Sequence, residues 1–501
     1  MQLFLKNFLF LRTYPLTVSI SILLICIAVF SWDISVKLFF LAISGVLLIV
    51  FGEYFSFEAK LAKKFIHREM YIPLFLTLFA LLTGIIHVSI IKTTFIGKID
   101  IILFIFCMGF LSYGLIRSGF FEFTAYHFTR FARGNTTKLV VLVFILSSIL
   151  GYLTTNDIVV IAMTPIVFSM AVQSRIKNVK LLLISEFVGA NVSAMGQLWG
   201  SPTNIIVAVA LNISFWKYFL LMLVPTIICT LASLAAIYII LHLAKRKFSL
   251  IPAKWQWRYA DTYPVKKNSA HASFTKKMLH WVVLFFATFI LVVLATNTHH
   301  SLFYAIIPAF LVAVITIAGE APKTAAQELH RAFKGVPYDV FFFSLFYFSL
   351  AAELAKTNFV MNTIIPFLEH LFTLHPTFVS ITGTVGTSLL VNILNDLPTS
   401  AILSEILQHI QSVYSLSQLA FLQSVLIGVN LGACLTPIGA LAGMIWLSII
   451  RTEAKRHHSK EMIIPTRIDL VRFSAIKFIP VALITAILSS LSLFVISGYI
   501  K

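Results

Sequence analysis

Charged residues are scarce in this chain of 501 residues, and acidic residues are half as frequent as basic ones, 19 against 38. Asp, Glu, Lys and Arg together make up 11% of the sequence, whereas a soluble globular domain carries about 25%. Hydrophobic residues make up 59%, and the mean hydropathy is +0.95. Too few charged side chains are present to cover the surface of a soluble protein of this length, so a soluble fold is excluded.

Cysteines and the common catalytic motifs are also scarce. The four cysteines lie apart in apolar stretches without a C-x-x-C spacing, which argues against a disulfide framework or a structural zinc site. The sequence contains no H-E-x-x-H, G-x-S-x-G or G-x-x-x-x-G-K-[ST] motif. We therefore expect neither an enzyme nor an ATP-driven pump, and neither a metal site nor a cofactor.

The net charge of +19 raises the question of nucleic-acid binding. The basic residues, however, lie mostly in a few loops between apolar segments. The positive-inside rule places them there in membrane proteins, on the cytoplasmic side. We therefore expect a lipid bilayer, and no nucleic acid, as the partner.

Apolar runs of about 20 residues recur from end to end, and each is long enough to cross the roughly 30 Å hydrocarbon core as a helix. They lack the alternation typical of strands, so spanning helices are predicted. No small-residue cleavage site follows the first run, which indicates a retained helix rather than a signal peptide. The predicted helices are 16–31, 36–55, 71–91, 101–117, 218–243, 278–296, 302–319, 338–356 and 474–499.

Four longer apolar segments, 138–171, 180–211, 378–408 and 418–450, are interrupted midway by polar and helix-breaking residues. Basic residues flank both ends of 138–171 and neither end of 378–408. We therefore predict re-entrant hairpins that enter from the cytoplasmic and the external face, respectively. The other two segments connect opposite faces, and each is predicted to be a spanning helix with an unwound centre.

A weak repeat at an offset of 239 residues supports this division. Asn156-Asp157 falls on Asn395-Asp396, and Asn191 falls on Asn430. The two units enter from opposite faces, which is typical of the inverted-topology repeats of secondary transporters. The predicted fold is an all-α polytopic membrane protein with about 11 transmembrane helices and two re-entrant hairpins in an inverted-topology repeat.

The predicted organisation follows from these segments and from the loop charges. Loop 244–277 carries nine Lys or Arg and one acid, so it is predicted to be cytoplasmic, as is the N-terminus of this multi-pass inner-membrane protein. The units are N-terminal scaffold helices (1–100), repeat 1 (101–243), the basic loop (244–277), linking scaffold helices (278–337) and repeat 2 (338–499).

Four polar breaks are predicted to meet near the middle of the membrane. Gly and Pro free backbone groups, which are costly in lipid unless they line a cavity or bind something. A half-helix N-terminus suits an anion, whereas carbonyls and carboxylates suit a small cation. The predicted substrate- and ion-binding residues are Thr154, Thr155, Asn156, Asp157, Ser201, Pro202, Thr203, Asn204, Asn395, Asp396, Pro398, Thr399, Thr436, Pro437 and Gly439, supported by Asn191, Asn430 and Glu186.

Asp157 and Asp396 are the strongest candidates for a functional role, because a carboxylate at membrane depth is energetically costly and usually functional. The alternative is that each caps the N-terminus of its own hairpin arm. The two roles are compatible, since a capping Asp can also ligate Na⁺ or carry a proton. Glu186 is interpreted either as a proton carrier or as a helix-packing residue, and Cys434 as a small core residue.

Four runs carry a resemblance to a known family: Thr155–Pro165, Gly200–Asn204, Asn395–Thr399 and Asn430–Leu441. They resemble the ion transporter superfamily, which includes arsenite efflux permeases, citrate–metal symporters, divalent-anion/sodium symporters and some Na⁺/H⁺ antiporters. The resemblance covers residues 36–499 and is strongest to the arsenite-permease and citrate-transporter-like group. It implies that the four breaks form the substrate and coupling-ion sites, and that a homodimer works as an elevator.

One departure bears on the coupling ion. The second hairpin of that group usually reads Asn-Asn-x-Pro, whereas this chain has Asp396 in the second place. The sequence therefore predicts a secondary transporter of a small anion or oxyacid, arsenite- or citrate/dicarboxylate-like, coupled to H⁺ or Na⁺. The alternative function is Na⁺/H⁺ antiport, in which the two Asp would be the cation ligands.

The loop charges generate a direct test of the opposite entry of the two hairpins. Single cysteines at Ser174 and Ser415 are probed from outside intact cells with an impermeant maleimide. We expect Ser415→Cys to be labelled and Ser174→Cys to be protected, because only the first hairpin has basic flanks. Labelling of Ser174→Cys without Ser415→Cys would overturn the topology.

Overall fold

The computed structural model describes the chain from residue 77 onward with several gaps. The described residues are 77–84, 86–133, 135–173, 176, 178–211, 213–245, 274–297, 303–335, 338–410, 415–437, 439–457 and 462–500. The predicted helices 16–31 and 36–55, and most of the basic loop 244–277, lie outside them.

The described part of the chain is almost entirely helical, and its one β-bridge joins Asn178 to Ile463. The helices are α1 (Val88–Ser118), α2 (Phe120–Phe131), α3 (Thr136–Leu153), α4 (Asn156–Gln173), α5 (Lys180–Ala194), α6 (Pro202–Ala210), α7 (Phe215–Lys245), α8 (Lys276–Asn297), α9 (Phe303–Glu320), α10 (Ala325–Gly335), α11 (Tyr338–Leu354), α12 (Ile365–Phe372), α13 (Pro376–Leu394), α14 (Asp396–Gln408), α15 (Leu416–Gly432), α16 (Leu441–Arg456) and α17 (Arg467–Ile500).

Helix α1 is longer than the predicted helix 101–117. It begins at Val88 and runs through residues 92–100, which were predicted to separate two helices. The polar residues of that stretch indicated a loop. A helix of 31 residues is about 46 Å long and exceeds the hydrocarbon core, so one end can extend into the polar region. Gly119 ends α1 in the left-handed conformation, with φ of 82° and its N–H donating to the Ile116 carbonyl.

Three short helices, α2, α10 and α12, lie where the sequence predicted loops, including loop 357–377. Each is too short to cross a membrane, so the search for apolar runs of spanning length passed over them. Their apolar faces are nevertheless packed. The Phe333 ring of α10 lies edge-on to Phe110 of α1 at 4.8 Å between centroids, and Leu368 of α12 is buried.

Two helix pairs pack closely at glycines, α3 with α5 and α13 with α15. A Cβ atom on Gly189 of α5 would lie 2.7 Å from the Phe144 carbonyl oxygen of α3. A Cβ atom on Gly428 of α15 would lie 2.9 Å from the Thr384 carbonyl oxygen of α13. Small residues at these crossings let the backbones approach, as in other membrane helix pairs. The first arm of each predicted hairpin is thus held against the first half of the following broken helix.

The second arms of the hairpins pack across the two units. Helix α4 packs against α16, and α14 packs against α6. In each case the second arm of one hairpin contacts the second half of the other unit's broken helix. The long helices α7 and α17 pack against each other as well. These contacts bring the interruptions of all four segments toward one region.

The described residues give only part of the number of membrane-spanning helices. Among the described residues, four helices are individually long and apolar enough to cross a membrane, and a fifth span results if the pair Ile306–Glu320 and Pro322–Phe333, bent by 106°, is counted as one. The arms α3 and α4 have 18 residues each, about 27 Å, so length does not separate re-entrant from spanning arms. The count of eleven and the inverted topology stay predictions.

The glycine contacts generate a stability test. Gly428→Ala should destabilise the protein by about 1–3 kcal/mol, because the added methyl group meets backbone and the α13–α15 pair has to separate. Unfolding of the detergent-solubilised protein by heat or denaturant measures this loss.

Gly386→Ala is the matched control, since Gly386 lies on α13 and a Cβ there meets nothing within 4 Å. Equal stability of the two variants would contradict the close packing of α13 against α15.

Candidate functional site

The first hairpin tip is tied to the first broken helix through Asn156, the first residue of α4. Its N–H donates to the Gly200 carbonyl at 2.9 Å. Its Nδ2 donates to Asn191 Oδ1 at 3.0 Å, and Asn191 Nδ2 in turn donates to the Phe187 carbonyl of its own helix at 2.8 Å. A backbone group freed by the break in 180–211 is therefore paired with the tip.

The second hairpin tip repeats this arrangement. The Asp396 N–H donates to the Gly439 carbonyl at 3.0 Å, so the second tip is bound to the unwound centre of the second broken helix. The preceding residue, Asn395, has φ of 77°, a left-handed conformation that is unfavourable for a residue other than glycine. Such strain is typical of functional sites, where the surrounding structure maintains it.

The two tips correspond in a register that differs by one residue from the constant offset of 239. Asn156 and Asp396 are each the first helical residue, and each Oδ1 accepts the N–H of the next residue at 2.9 Å. Asn156 therefore corresponds to Asp396, and Asp157 corresponds to Leu397. The helix starts differ by one residue from the predicted pairing of Asn156 with Asn395, which stays a prediction.

The two broken helices contact each other directly through their asparagines. Asn430 Nδ2 donates to Asn204 Oδ1 at 2.9 Å. Asn204 Nδ2 donates to two carbonyls of the first break, Ala194 at 3.0 Å and Gln197 at 2.9 Å. All four residues are buried, so these bonds are shielded from water. The hydrogen bonds join both breaks into one polar network.

Two half-helices begin at this network without a capping side chain. The N-cap of α6 is Ser201, whose hydroxyl pairs instead with Thr203 Oγ1 at 2.8 Å. The N-cap of α16 is Ala440, which carries no polar side chain. Pro202 occupies the first turn of α6, where its missing N–H costs nothing. The remaining N–H groups of both first turns give each N-terminus a partial positive charge.

The carboxylates of Asp157 and Asp396 lie within electrostatic interaction distance of one another. Asp396 is buried and uses Oδ1 to accept the Leu397 N–H at 2.9 Å. Asp157 is half-buried, and within the described part of the chain its carboxylate accepts no hydrogen bond. The N-cap of α14 is Asn395, whose Oδ1 also accepts the Leu397 N–H at 3.4 Å, so neither Asp157 nor Asp396 occupies the N-cap position that the capping alternative requires.

The remaining predicted residues mostly make local hydrogen bonds. Thr154 Oγ1 donates to the Leu150 carbonyl at 2.6 Å, and Thr399 Oγ1 donates to the Asn395 carbonyl at 2.7 Å. Thr155 Oγ1 accepts the Ile158 N–H at 3.3 Å. Pro398 lies in the first turn of α14 and Pro437 in the second break. These residues shape the tips and breaks.

Asn392 was missed by the sequence argument. It lies near the end of α13, and its Oδ1 accepts a hydrogen bond from Thr436 at 2.7 Å. Its Nδ2 donates to the Gly432 carbonyl at 3.1 Å, so one side chain bridges the second hairpin and the second break. The sequence does show a polar residue at position 392, one helical turn before the second tip. It was not selected because the offset of 239 residues pairs it with an apolar residue, Leu153.

Glu186 lies apart from the hydrogen-bonded tips. It is fully buried and accepts hydrogen bonds from the Thr164 hydroxyl at 3.2 Å and from Trp446 Nε1 at 3.1 Å. The Trp446 ring also stacks on Phe187 at 4.9 Å between centroids. Glu186 thus joins α5 to α4 and α16, which places it at the junction of the two units.

Comparisons with known proteins relate this chain to a transporter family and to arsenical pump membrane proteins. A sequence model of the family described as citrate transporter matches residues 46–424. An arsenical pump membrane protein of Yersinia enterocolitica is 25% identical over 380 residues, covering 74% of this chain and 83% of that protein. An arsenical pump membrane protein of Escherichia coli (strain K12) is 24% identical over 380 residues, with coverage of 74% and 83%.

The Asn204–Asn430 bond generates a double-mutant test. Asn204→Ala and Asn430→Ala should each destabilise the protein. The double variant should lose less than the sum of the two, by about 0.5–1.5 kcal/mol, because the hydrogen bond is lost only once.

Unfolding of the four proteins in detergent measures this coupling. Strict additivity of the two single effects would contradict the contact between the two broken helices.

Proposed function

Because the chain belongs to the citrate transporter family, we propose that it is a secondary transporter of a small anion or oxyacid, coupled to H⁺ or Na⁺. Membership bears out the resemblance to the ion transporter superfamily and its arsenite-permease and citrate-transporter-like group. It also identifies a multi-pass membrane protein that takes a small molecule or ion as substrate. The coupling and the chemical class of the substrate are proposals that rest on the tips.

The proposal that transport is coupled to H⁺ or Na⁺ rests on the pair of carboxylates at the hairpin tips. Asp157 has no hydrogen-bond donor among the described residues, yet it lies close to a second acid, Asp396. Two carboxylates near each other at membrane depth repel and are costly as a pair of anions. A proton or Na⁺ between them removes most of that cost. Binding of this cation would therefore decide whether the tips can carry a net charge through the membrane.

The proposal that the substrate is an anion rests on the two half-helices whose N-termini have no capping side chain. The first turns of α6 and α16 have no capping side chain in the described part of the chain, and they lie beside the same polar network. Helix N-termini of this kind bind carboxylates and oxyanions, and in transporters with broken helices they face the anionic part of the substrate. An anion and a coupling cation would thus be held close together, and each would lower the cost of the other's charge.

The relatives narrow the substrates to be tried first. The family description names citrate, and the similar Yersinia enterocolitica protein is named an arsenical pump membrane protein. Arsenite, citrate and succinate are therefore the first solutes for uptake by proteoliposomes, each with an imposed pH or Na⁺ gradient. Na⁺/H⁺ antiport remains the second candidate, since the acid pair suits it without any anion. Gradient-driven cation exchange with no effect of any solute would favour that candidate.

The membrane setting completes the proposal. We propose an inner-membrane location with a cytoplasmic N-terminus, supported by the basic loops 56–70, 244–277 and 451–472. A homodimer with an elevator mechanism is proposed from the resemblance to the superfamily. In such a mechanism the four breaks would travel together, and the hydrogen bonds between tips and breaks would keep the site intact during the movement.

The two acids generate different predictions. Asp157→Asn should abolish accumulation of solute against its gradient, because the side chain can no longer hold a proton or balance Na⁺. Downhill exchange can survive. Asp396→Asn should be milder, since Asn accepts the Leu397 N–H about as well as Asp. Accumulation in vesicles with an imposed ΔpH or ΔNa measures both.

Glu405→Gln is the matched control, because Glu405 is a carboxylate on α14 at the end remote from the tip. We expect it to accumulate solute like the wild type. Wild-type accumulation by Asp157→Asn would remove the coupling role from this residue.

A further inference from the structure

Two helices mark the level at which the hydrocarbon region ends on one side of the protein. Helix α9 exposes the apolar side chain of Ile315 and ends at Glu320, about 7.5 Å further along the axis. Helix α8 begins at Lys276, and its Leu279 is exposed. Lys277 Nζ lies 3.1 Å from Glu320 Oε2, so both helices change from exposed apolar to charged residues at the same level. This level corresponds to the headgroup region of a bilayer.

Helix α10 turns away from α9 at this level. The helix pair Ile306–Glu320 and Pro322–Phe333 is bent by 106°. Helix α9 has 18 residues and is about 27 Å long, which is close to the thickness of the hydrocarbon core. With α9 across the bilayer, α10 therefore runs nearly parallel to the membrane surface, as interfacial helices do.

A chain of ion pairs holds α10 against the ends of α1, α8 and α9. Arg331 pairs with Glu328 of its own helix at 2.6 Å. Arg117 of α1 reaches Glu328 at 3.2 Å and Glu320 at 3.7 Å. Glu320 also pairs with Lys277 of α8. Three cations thus share two carboxylates, so this group of ion pairs carries an excess of positive charge.

The two faces of α10 differ in polarity. The inner face packs against the protein, where Ala332 is fully buried. The outer face begins in the turn before the helix and consists of exposed polar residues at spacings i, i+4, i+7 and i+8, namely Lys323, Gln327, His330 and Arg331. This face, which we call the α10 surface, presents two basic side chains at the level of the headgroups.

We propose that the α10 surface binds the headgroups of anionic phospholipids in the cytoplasmic leaflet. Lys323 and Arg331 donate to lipid phosphates, to which basic side chains at this level are attracted. The partly exposed ring of Phe333 lies beside them and faces the acyl chains. The leaflet follows from the basic loop 244–277, which leads directly into α8. The proposal involves no residue of the tips or breaks, so it stands apart from the proposed transport function.

The experiment measures thermal unfolding of the purified protein in detergent micelles with increasing fractions of dioleoylphosphatidylglycerol or dioleoylphosphatidylcholine. The acyl chains are identical, so a difference between the lipids reports the headgroup charge. We expect a saturable rise of Tm with phosphatidylglycerol that exceeds the rise with phosphatidylcholine and weakens at high salt, because the lipid binds the folded state. Equal effects of the two lipids overturn the proposal, as does the same rise with inorganic phosphate alone.

Lys323→Gln and Arg331→Gln should each raise the half-saturating fraction of phosphatidylglycerol roughly fivefold, because each removes one charge at the level of the headgroups. Arg331→Gln also removes the ion pair with Glu328. Lys323→Gln therefore decides the outcome if Arg331→Gln does not fold, since Lys323 is exposed in the turn before α10. An unchanged half-saturation in Lys323→Gln overturns the proposal.

Lys455→Gln and Arg456→Gln are the matched controls on a different helix, α16. Both residues are exposed, and Arg456 pairs with Glu453, three residues earlier, at 3.6 Å, in the same spacing as Arg331 with Glu328. We expect both controls to keep the wild-type half-saturation. The same loss in these controls as in Lys323→Gln would indicate a general attraction between lipid and basic residues, and it would overturn the assignment of the α10 surface.

Discussion

Backbone groups that leave a helix inside a bilayer have to find partners within the protein, and the arrangement of the site depends on this constraint. The N–H groups of Asn156 and Asp396 donate to the carbonyls of Gly200 and Gly439. Each hairpin tip therefore satisfies the break of the helix that follows it. The asparagine contact between Asn204 and Asn430 then joins the two breaks. Polar residues at membrane depth are held together because separation would leave them unpaired.

Within this near-symmetric frame the two acids are not equivalent. Asp396 and Asn156 each begin a helix and accept the N–H of the next residue, whereas the Asp157 carboxylate accepts no hydrogen bond among the described residues. The symmetry of the backbone thus coexists with an asymmetric placement of charge. In the proposed coupling, a cation would bind between these two carboxylates, and only Asp396 would have to change its hydrogen-bond partner.

The sequence located the interruptions well because Gly, Pro, Asn and Asp within apolar runs are rare and physically costly. The all-helical class followed from the same runs and is confirmed for the described residues. The short helices α2, α10 and α12 were not predicted, because each is shorter than the apolar run that identifies a membrane-spanning helix. The sequence argument did not predict the register of the tips or the hydrogen bonds of Asn392. Both depend on where the helices begin in the folded backbone. The number of spans and the binding roles stay predictions.

The crossed packing of α4 with α16 and of α14 with α6 has a consequence for the folding of the chain. Each half of the sequence supplies a helix that packs against the other half. Neither half on its own could bury the apolar faces that these contacts cover. Because both halves belong to one chain, their association is intramolecular and does not depend on the concentration of the protein.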